Sequence, residues 1–157
     1  VHVLHVNRTG CGGAIVQCAR SSYRFHAVGN LGITPLGVKG ICKQDDKVLC
    51  GLRGKKMGAY PEQWEFAPAG MMEPNQKPED IIARELEEET GLMLSSPPTA
   101  IALFFDEEVQ TWEIVFQLEV IGACQGDGTE YESLGWFDIK SMPTPMSPPA
   151  VRMKSLL

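Results

Sequence analysis

Residues 77–90 read KPEDIIARELEEET and are followed by Gly91. Pro78 suits a first helical position, and Glu79 and Asp80 would stand in the first turn, where the helix dipole favours anions. Gly91 suits the residue that ends a helix in a left-handed conformation. We therefore predict a helix over residues 77–90, and this helix carries most of the functional information in the sequence.

Three glutamates of this helix, Glu85, Glu88 and Glu89, would share one face because they stand at i, i+3 and i+4. Like charges so placed repel one another, at a cost of roughly a few tenths of a kcal/mol per pair. Hard divalent cations such as Mg²⁺ bind carboxylate oxygens and bring substrate phosphates with them. The cluster therefore indicates a cation site. A solvated acidic face on an amphipathic helix is the alternative, with Ile82 and Leu86 on the apolar side.

The segment just before the helix decides between these interpretations. Residues 64–76 read WEFAPAGMMEPNQ, and residues 84–92 read RELEEETGL. Together they resemble the Nudix box, in which Gly, five residues, Glu and seven residues precede Arg-Glu-apolar-x-Glu-Glu-x-Gly-apolar. Gly70 fits the opening glycine and residues 84–92 fit the closing block, with both spacings correct. The one departure is Gln76, which stands where the family has glutamate.

The resemblance implies a Nudix-type α/β/α sandwich and cleavage of a pyrophosphate linkage with Mg²⁺ or Mn²⁺. Metal ions neutralise phosphate oxygens and lower the pKa of a bound water. By analogy with the family, we expect the metal to be held by the following groups: Glu85, Glu88, Glu89 and the Ala69 carbonyl as a possible further ligand. Glu88 and Glu89 are also expected to be catalytic. Arg84 would be the ion-pair partner that holds a catalytic glutamate in place, the alternative being an ordinary surface arginine paired with Glu88.

Gln76 leaves three outcomes open. An amide cannot supply negative charge or act as a base. The substitution therefore reduces charge neutralisation modestly, or Glu73 or Glu79 compensates nearby, or the protein has become a ligand-sensing or protein-interaction module.

Basic and aromatic residues outside the box are candidates for substrate binding. Arg53, Lys55 and Lys56 follow a predicted strand, and the planar guanidinium of Arg53 suits bidentate phosphate contact. A solvent-exposed basic loop is the alternative. Trp64 is a candidate for stacking on a base, as is Phe66, although a core role suits both. Gly70 belongs to the loop that wraps the site in the family and is counted with these residues.

Acidic residues after the box supply further candidates. Glu130 and Glu132 precede Trp136, in the loop where many Nudix relatives keep one more acid as a metal ligand or general base. We favour Glu130 slightly as this residue, although each is otherwise an ordinary loop acid. Glu113 lies within a predicted strand, and strand alternation turns it either into the site or out to solvent.

Composition bounds the remaining functions. At 157 residues with a net charge of −6, the chain suits one domain and argues against non-specific nucleic-acid binding. No apolar run is long enough to span a membrane, and the N-terminus lacks the layout of a secretory signal. The five cysteines form an odd set without a Cys-x-x-Cys pair, which favours free thiols and a cytoplasmic location.

The remaining pattern predicts a mixed sheet between helices, which is an α/β class of fold. Strands are predicted at residues 12–18, 23–28, 36–42, 48–52, 100–106, 111–121 and 134–137. The first two would form a hairpin. Residues 122–133 and 142–149 are predicted to be irregular, and residues 150–157 to form a short helix.

We divide the chain into residues 1–34, an N-terminal β extension, and residues 35–157, a Nudix hydrolase domain. The extension lies in the same domain or serves as a dimerisation arm, so a homodimer is one expected state.

Residues 105–111 (FDEEVQT) contain no proline, and the family's marker for NADH enzymes is absent. The expected substrate is a nucleoside diphosphate derivative, either a nucleotide sugar or an ADP-ribose-like molecule. A nucleoside triphosphate is the near alternative, and a catalytically weak nucleotide-binding module is a third.

Overall fold

The computed structural model describes residues 1–9, 12–20, 34–126 and 128–157. Its elements in chain order are β1 (His2–Arg8), β2 (Ala14–Ala19), β3 (Thr34–Gln44), β4 (Lys47–Arg53), β5 (Trp64–Phe66), β6 (Ala69–Met71), α1 (Pro78–Thr90), β7 (Met93–Leu94), β8 (Thr99–Asp106), β9 (Thr111–Leu118), β10 (Val120–Ile121), β11 (Tyr131–Asp138) and α2 (Pro148–Met153). A 3₁₀ turn, Lys154–Leu156, follows α2.

Nine of the described strands join in one mixed, curled sheet centred on the long strand β3. β3 runs parallel to β9 and antiparallel to its other partners β1, β4 and β6. β4 also pairs with β5 and with β11, and β8 pairs with β9. The short strands β7 and β10 form a separate pair. The expected α/β/α sandwich with a mixed sheet is confirmed.

Strand alternation gives the sheet two cores, one on each face. On one face, Ile81, Ile82 and Leu86 of α1 pack in a cluster with Val38 and Phe116. The opposite face packs against α2. There Ala150 and Met153 join Ile41, Val48, Phe66 and Val115.

Helix α1 has the ends that its sequence predicts. Pro78 stands in its first turn, and Gly91 adopts φ 69° and donates its backbone N–H to the Glu87 carbonyl. The left-handed φ suits glycine, because a Cβ is disfavoured there. The predicted helix over residues 77–90 is thus confirmed to within one residue.

Three local predictions need correction. Tyr131 begins β11 inside the predicted loop 122–133, because its pairing with Arg53 and its burial extend the sheet. Residues 142–149 are not irregular to the end, since α2 begins at Pro148 with Ser147 capping its first turn. The strand predicted at residues 12–18 exists as β2, but it pairs with β1, which the sequence pattern did not predict. Its expected partner, residues 23–28, lies outside the described residues.

β1 brings part of the N-terminal extension into the main sheet. Its residues His2 and Val3 pair with β3, and Val3 is buried in the core cluster that contains α1. The division at residue 34 and the dimerisation arm stay predictions. Within the ranges that the structure describes, no helix is long and apolar enough to cross a membrane.

Candidate active site

A cleft of about 390 Å³ opens where β3, β6 and β9 meet the acidic face of α1. Six residues singled out in the sequence line it: Arg53, Ala69, Gly70, Glu85, Glu113 and Glu130. Residues that lie far apart in the chain therefore share one space.

Glu89 is buried and adjoins two residues that line the cleft, Ala69 and Glu130. Its Oε2 accepts the Ala69 backbone N–H at 3.1 Å, whereas its Oε1 is buried without a hydrogen-bond donor. Burial raises the pKa of Glu89 well above its ordinary range, and the neighbouring Glu130 carboxylate raises it further. A buried carboxylate facing a second carboxylate is stabilised by a proton or by a cation.

Gly70 of β6 allows the Glu85 side chain of α1 to lie directly against the strand. A Cβ at this position would lie 2.5 Å from Cγ of Glu85 and 2.8 Å from its Oε1. Only a residue without a side chain leaves Glu85 where it is. The opening glycine of the motif therefore makes the room that the first acidic residue of α1 occupies.

Arg84 lies among acids at the outer edge of the site. Its Nη2 is 2.9 Å from Oε1 of Glu85 and 3.0 Å from Oε1 of Glu73, and its Nε is 3.9 Å from Oε2 of Glu88. Hydrogen bonds to Glu85 and Glu73 raise the pKa of Arg84. The arginine thus contacts two of the three glutamates that are expected to bind metal, Glu85 and Glu88.

Arg53 is the most heavily paired basic residue of the cleft. Its Nη1 contacts the buried carboxylate of Glu65 and lies 3.1 Å from Oε1 of Glu130, while its Nε donates to the Ala59 carbonyl at 2.8 Å. Glu65 also forms an ion pair with the buried Lys39, with 3.5 Å between Nζ of Lys39 and Oε2 of Glu65. Glu65 therefore holds two cations at the floor of the cleft.

Glu113 projects into the cleft from β9, beside Lys39. Its carboxylate lies over Gly37 of the adjacent strand, where a Cβ would collide with it. Burial raises the pKa of Glu113 to about 7, against the opposing effect of Lys39 and with the help of Asp106 and Glu65. Strand alternation therefore turns Glu113 into the site, which the sequence pattern had left open.

Tyr60 and Asp106 close the far end of the cleft. The Tyr60 hydroxyl donates to Oδ1 of Asp106 at 2.7 Å, and Asp106 also accepts the Glu108 backbone N–H at 3.1 Å. The other oxygen of Asp106, Oδ2, is buried without a hydrogen-bond donor. This end of the cleft is consequently rich in hydrogen-bond acceptors.

Besides Glu89 and Arg84, three expected site residues do not line the cleft, namely Lys55, Trp64 and Glu88. Lys55 has a side chain that is 68% exposed, and its Nζ is 3.8 Å from Glu62. The ring of Trp64 packs edge-on against Phe137, with centroids 4.9 Å apart, in the core cluster beside α2. Glu88 is 62% exposed on the surface of α1. The core interpretation of Trp64 fits its contacts, as does that of the buried Phe66.

The chemistry of the expected ligands suits a hard divalent cation. Carboxylates and a backbone carbonyl are the oxygen ligands that Mg²⁺ takes, and Oε1 of Glu89 is buried without a hydrogen-bond donor. Among the described residues, no three His, Cys, Asp or Glu side chains converge closely enough to form a ready metal cage. The reason lies in the contacts above, since Glu85 is turned towards Arg84 and Glu88 is exposed.

Among the residues of the cleft that sequence reasoning missed are four that carry a charge or pair through a hydroxyl: Lys39, Glu65, Tyr60 and Asp106. A signal for two of them exists. Lys39 is a charge within the otherwise apolar run LGVKGIC, and Glu65 stands between two aromatic residues in WEF. Charged residues are almost never fully buried unless they are paired. A lone charge inside a buried strand therefore predicts a partner or a site.

Comparison with known proteins identifies the family and the fold. The NUDIX domain profile matches residues 35–157. A search of curated proteins finds no match. Among solved structures, a MutT NUDIX hydrolase from Burkholderia pseudomallei is similar at 20% identity and a TM-score of 0.70, covering 77% of this chain and 95% of its own.

Two further solved structures are similar. A MutT protein from Methanosarcina mazei Go1 has 22% identity and a TM-score of 0.61, with 75% of this chain and 87% of its own covered. An ADP-ribose pyrophosphatase from Streptococcus suis has 18% identity and a TM-score of 0.60, with 78% of this chain and 88% of its own covered. At these identities the likeness concerns the fold.

The sandwich fold is shared with these solved structures. The profile match spans most of the chain, so this protein belongs to the Nudix family and is a Nudix-type pyrophosphohydrolase.

Proposed function

We propose that this chain hydrolyses the pyrophosphate bond of a nucleoside diphosphate derivative, a nucleotide sugar or an ADP-ribose-like molecule, in the presence of Mg²⁺ or Mn²⁺. The observation that carries the proposal is the joint position of Glu85, Glu130 and Arg53 on one cleft. Carboxylates supply ligands for a cation, and the guanidinium supplies a second positive group for the diphosphate.

In this proposal the cation is held by Glu85, Glu88, Glu89 and the Ala69 carbonyl. A bound Mg²⁺ or Mn²⁺ supplies charge neutralisation and an acidified water. Arg84 positions Glu85 and Glu88. Arg53 binds a phosphate oxygen on the side of the cleft opposite α1.

Glu130 is proposed as the general base. It lies against the cleft, and its Oε1 is 3.1 Å from Nη1 of Arg53, which holds the carboxylate in a fixed position. A base must lie within hydrogen-bond reach of the proton that it accepts. Glu130 adjoins Glu89, a proposed ligand of the cation. As a carboxylate, Glu130 can accept a proton from an attacking water.

The part of the substrate beyond the phosphates is proposed to lie near Glu113, Lys39 and the Asp106–Tyr60 pair. Buried acceptors at this end suit hydroxyl or N–H donors, such as those of a sugar or a base. The cleft has room for more than the diphosphate alone, since pockets for small ligands start near 300 Å³.

We also propose cytoplasmic action, because four cysteines of the described chain are free thiols: Cys18, Cys42, Cys50 and Cys124. A homodimer through the N-terminal extension is a further proposal, and it rests on analogy with family members that carry such extensions. The proposed partner is a nucleotide small molecule rather than a nucleic acid or a membrane.

Hydrolysis of a panel of nucleotide sugars, dinucleotides, ADP-ribose and nucleoside triphosphates, with Mg²⁺ or Mn²⁺ and products identified by mass, tests the proposal. Glu89→Gln removes a proposed ligand, and Glu87→Gln makes the same chemical change at an exposed position of α1 outside the ligand set. We expect turnover of diphosphate derivatives that Glu89→Gln abolishes and Glu87→Gln leaves unchanged.

Other outcomes overturn the proposal in distinguishable ways. Release of pyrophosphate from triphosphates alone would make the chain a nucleoside triphosphate pyrophosphatase. Nucleotide binding without turnover of any compound would favour the sensor module, with Gln76 as its sequence signature.

A further inference from the structure

The charge that the family keeps at position 76 has a counterpart elsewhere in this chain. Gln76 reaches Arg84 only through a long hydrogen bond, 3.5 Å from Nη1 to Oε1. Glu73 lies in the same turn and pairs with Nη2 of Arg84 at 3.0 Å. The other oxygen of Glu73 accepts from Nε2 of Gln76 at 2.8 Å. One carboxylate is therefore anchored by both residues.

We propose that Glu73 is a positioning residue that replaces the missing glutamate charge at position 76 and holds Arg84 for the metal ligands. The sequence left Glu73 and Glu79 as equal candidates for compensation. Glu73 contacts both Arg84 and Gln76, whereas Glu79 lies in the first turn of α1, one turn before Arg84. This inference rests on the proposed metal site of α1.

Arg84 needs Glu73 because the guanidinium and the cation would compete for the same two carboxylates. Arg84 pairs with Glu85 and lies near Glu88, and both are proposed to bind the cation. A cation that draws these oxygens away leaves the guanidinium without partners unless another acid remains. Glu73 is that acid, since it approaches Arg84 from the loop before α1 rather than from the ligand face. With Glu73 present, Arg84 keeps a charge partner while Glu85 turns to the metal.

Removal of the Glu73 charge should therefore weaken metal binding. Without Glu73, Arg84 can pair only with Glu85 and Glu88, so the cation must displace it from both. Residues that orient metal ligands typically change affinity by about 10–100-fold when mutated. We expect Glu73→Gln to raise the Mn²⁺ dissociation constant about tenfold, because the site lies near the surface. A glutamate at position 76 lies within reach of the same guanidinium and should restore the affinity.

Four proteins test the proposal: the unaltered chain, Glu73→Gln, Gln76→Glu, and the double variant with both changes. Mn²⁺ binding to each, without substrate, is measured by the electron paramagnetic resonance signal of free Mn²⁺. Circular dichroism melting checks that the fold is retained. Glu79→Gln serves as the control for loss of one acid near α1.

The proposal expects Glu73→Gln to weaken Mn²⁺ binding, Glu79→Gln to leave it unchanged, and the double variant to return to within about twofold of the unaltered chain. A Glu73→Gln effect equal to that of Glu79→Gln overturns it, and so does a loss that Gln76→Glu fails to rescue. An unaltered chain that binds no Mn²⁺ would overturn the proposed metal dependence and this inference together. Normal binding that is insensitive to Glu73→Gln would overturn this inference alone.

Discussion

Arg53 at the end of β4 and Glu130 just before β11 lie 3.1 Å apart, although 77 residues separate them in the chain. The antiparallel pairing of β4 and β11 brings them together, because Tyr131 stands opposite Arg53 in the register. One residue was predicted to bind phosphate and the other to act as a base. Their contact joins the basic and the acidic halves of the site.

Arg53 should stabilise the fold as well as the site. Arg53→Ala leaves Glu65 buried with only Lys39 as a charged partner, and breaking a buried pair costs about 3 kcal/mol or more. We expect the free energy of unfolding to fall by about 3 kcal/mol in urea titrations. Lys55→Ala, which removes an exposed partner of Glu62, should change it by less than about 0.5 kcal/mol. Equal effects of the two substitutions would contradict the buried network.

Glu113 should make stability depend on pH. The unfolded chain releases the Glu113 proton near its ordinary pKa of 4.5, whereas the folded chain keeps that proton up to about 7. The folded state binds more protons in this window, so stability falls as pH rises through it and the loss is complete above about pH 7. At about 1.4 kcal/mol per pKa unit, the fall is roughly 3 kcal/mol.

Glu113→Gln should make this fall smaller, measured as the free energy of unfolding at a series of pH values between about 5 and 8. Part of the fall should remain, because the pKa of Glu89 is also raised. Glu107→Gln, on the exposed turn after β8, is the matched control and should retain the slope. A slope that is unaltered by Glu113→Gln would show that another group carries the pH dependence.

Gly70→Ala should damage the metal site without unfolding the protein. The new Cβ would collide with the Glu85 side chain, which can move only by leaving its present position. We expect the Mn²⁺ dissociation constant to rise about tenfold or more. Gly58→Ala meets no atom within 4 Å and should leave binding unchanged. Unchanged Mn²⁺ binding in Gly70→Ala would remove Glu85 from the proposed ligand set.

Trp64 should act through the core rather than through the substrate. Trp64→Ala removes a half-buried ring from the cluster beside α2, at a cost of about 2 kcal/mol. Phe137→Ala should cost a similar amount, and the double variant should lose about 1 kcal/mol less than the two losses added together, because the rings contact each other. The KM of the best substrate should stay within about twofold of the unaltered value, which corresponds to a change of about 0.4 kcal/mol in binding free energy. A large rise in KM with unchanged stability would instead support base stacking by Trp64.

Local spacing in the sequence was enough to predict helix α1, its ends and its acidic face. Each of these features depends on residues within one or two helical turns, where backbone geometry alone fixes which side chains are neighbours. The motif from Gly70 to Leu92 gave the family for the same reason. The sandwich fold followed from the motif and from the alternation of the strands.

Only the tertiary structure decided which of the remaining candidates meet. Sheet order brings Glu113 and Lys39 into the cleft, and it turns Trp64 away into the second core. It also selects Glu73 over Glu79 as the partner of Arg84. Such contacts join residues far apart in the chain or on opposite sides of a turn, and strand register sets whether a side chain points inwards. A shift of one residue would reverse every such direction, so sequence pattern alone leaves them open.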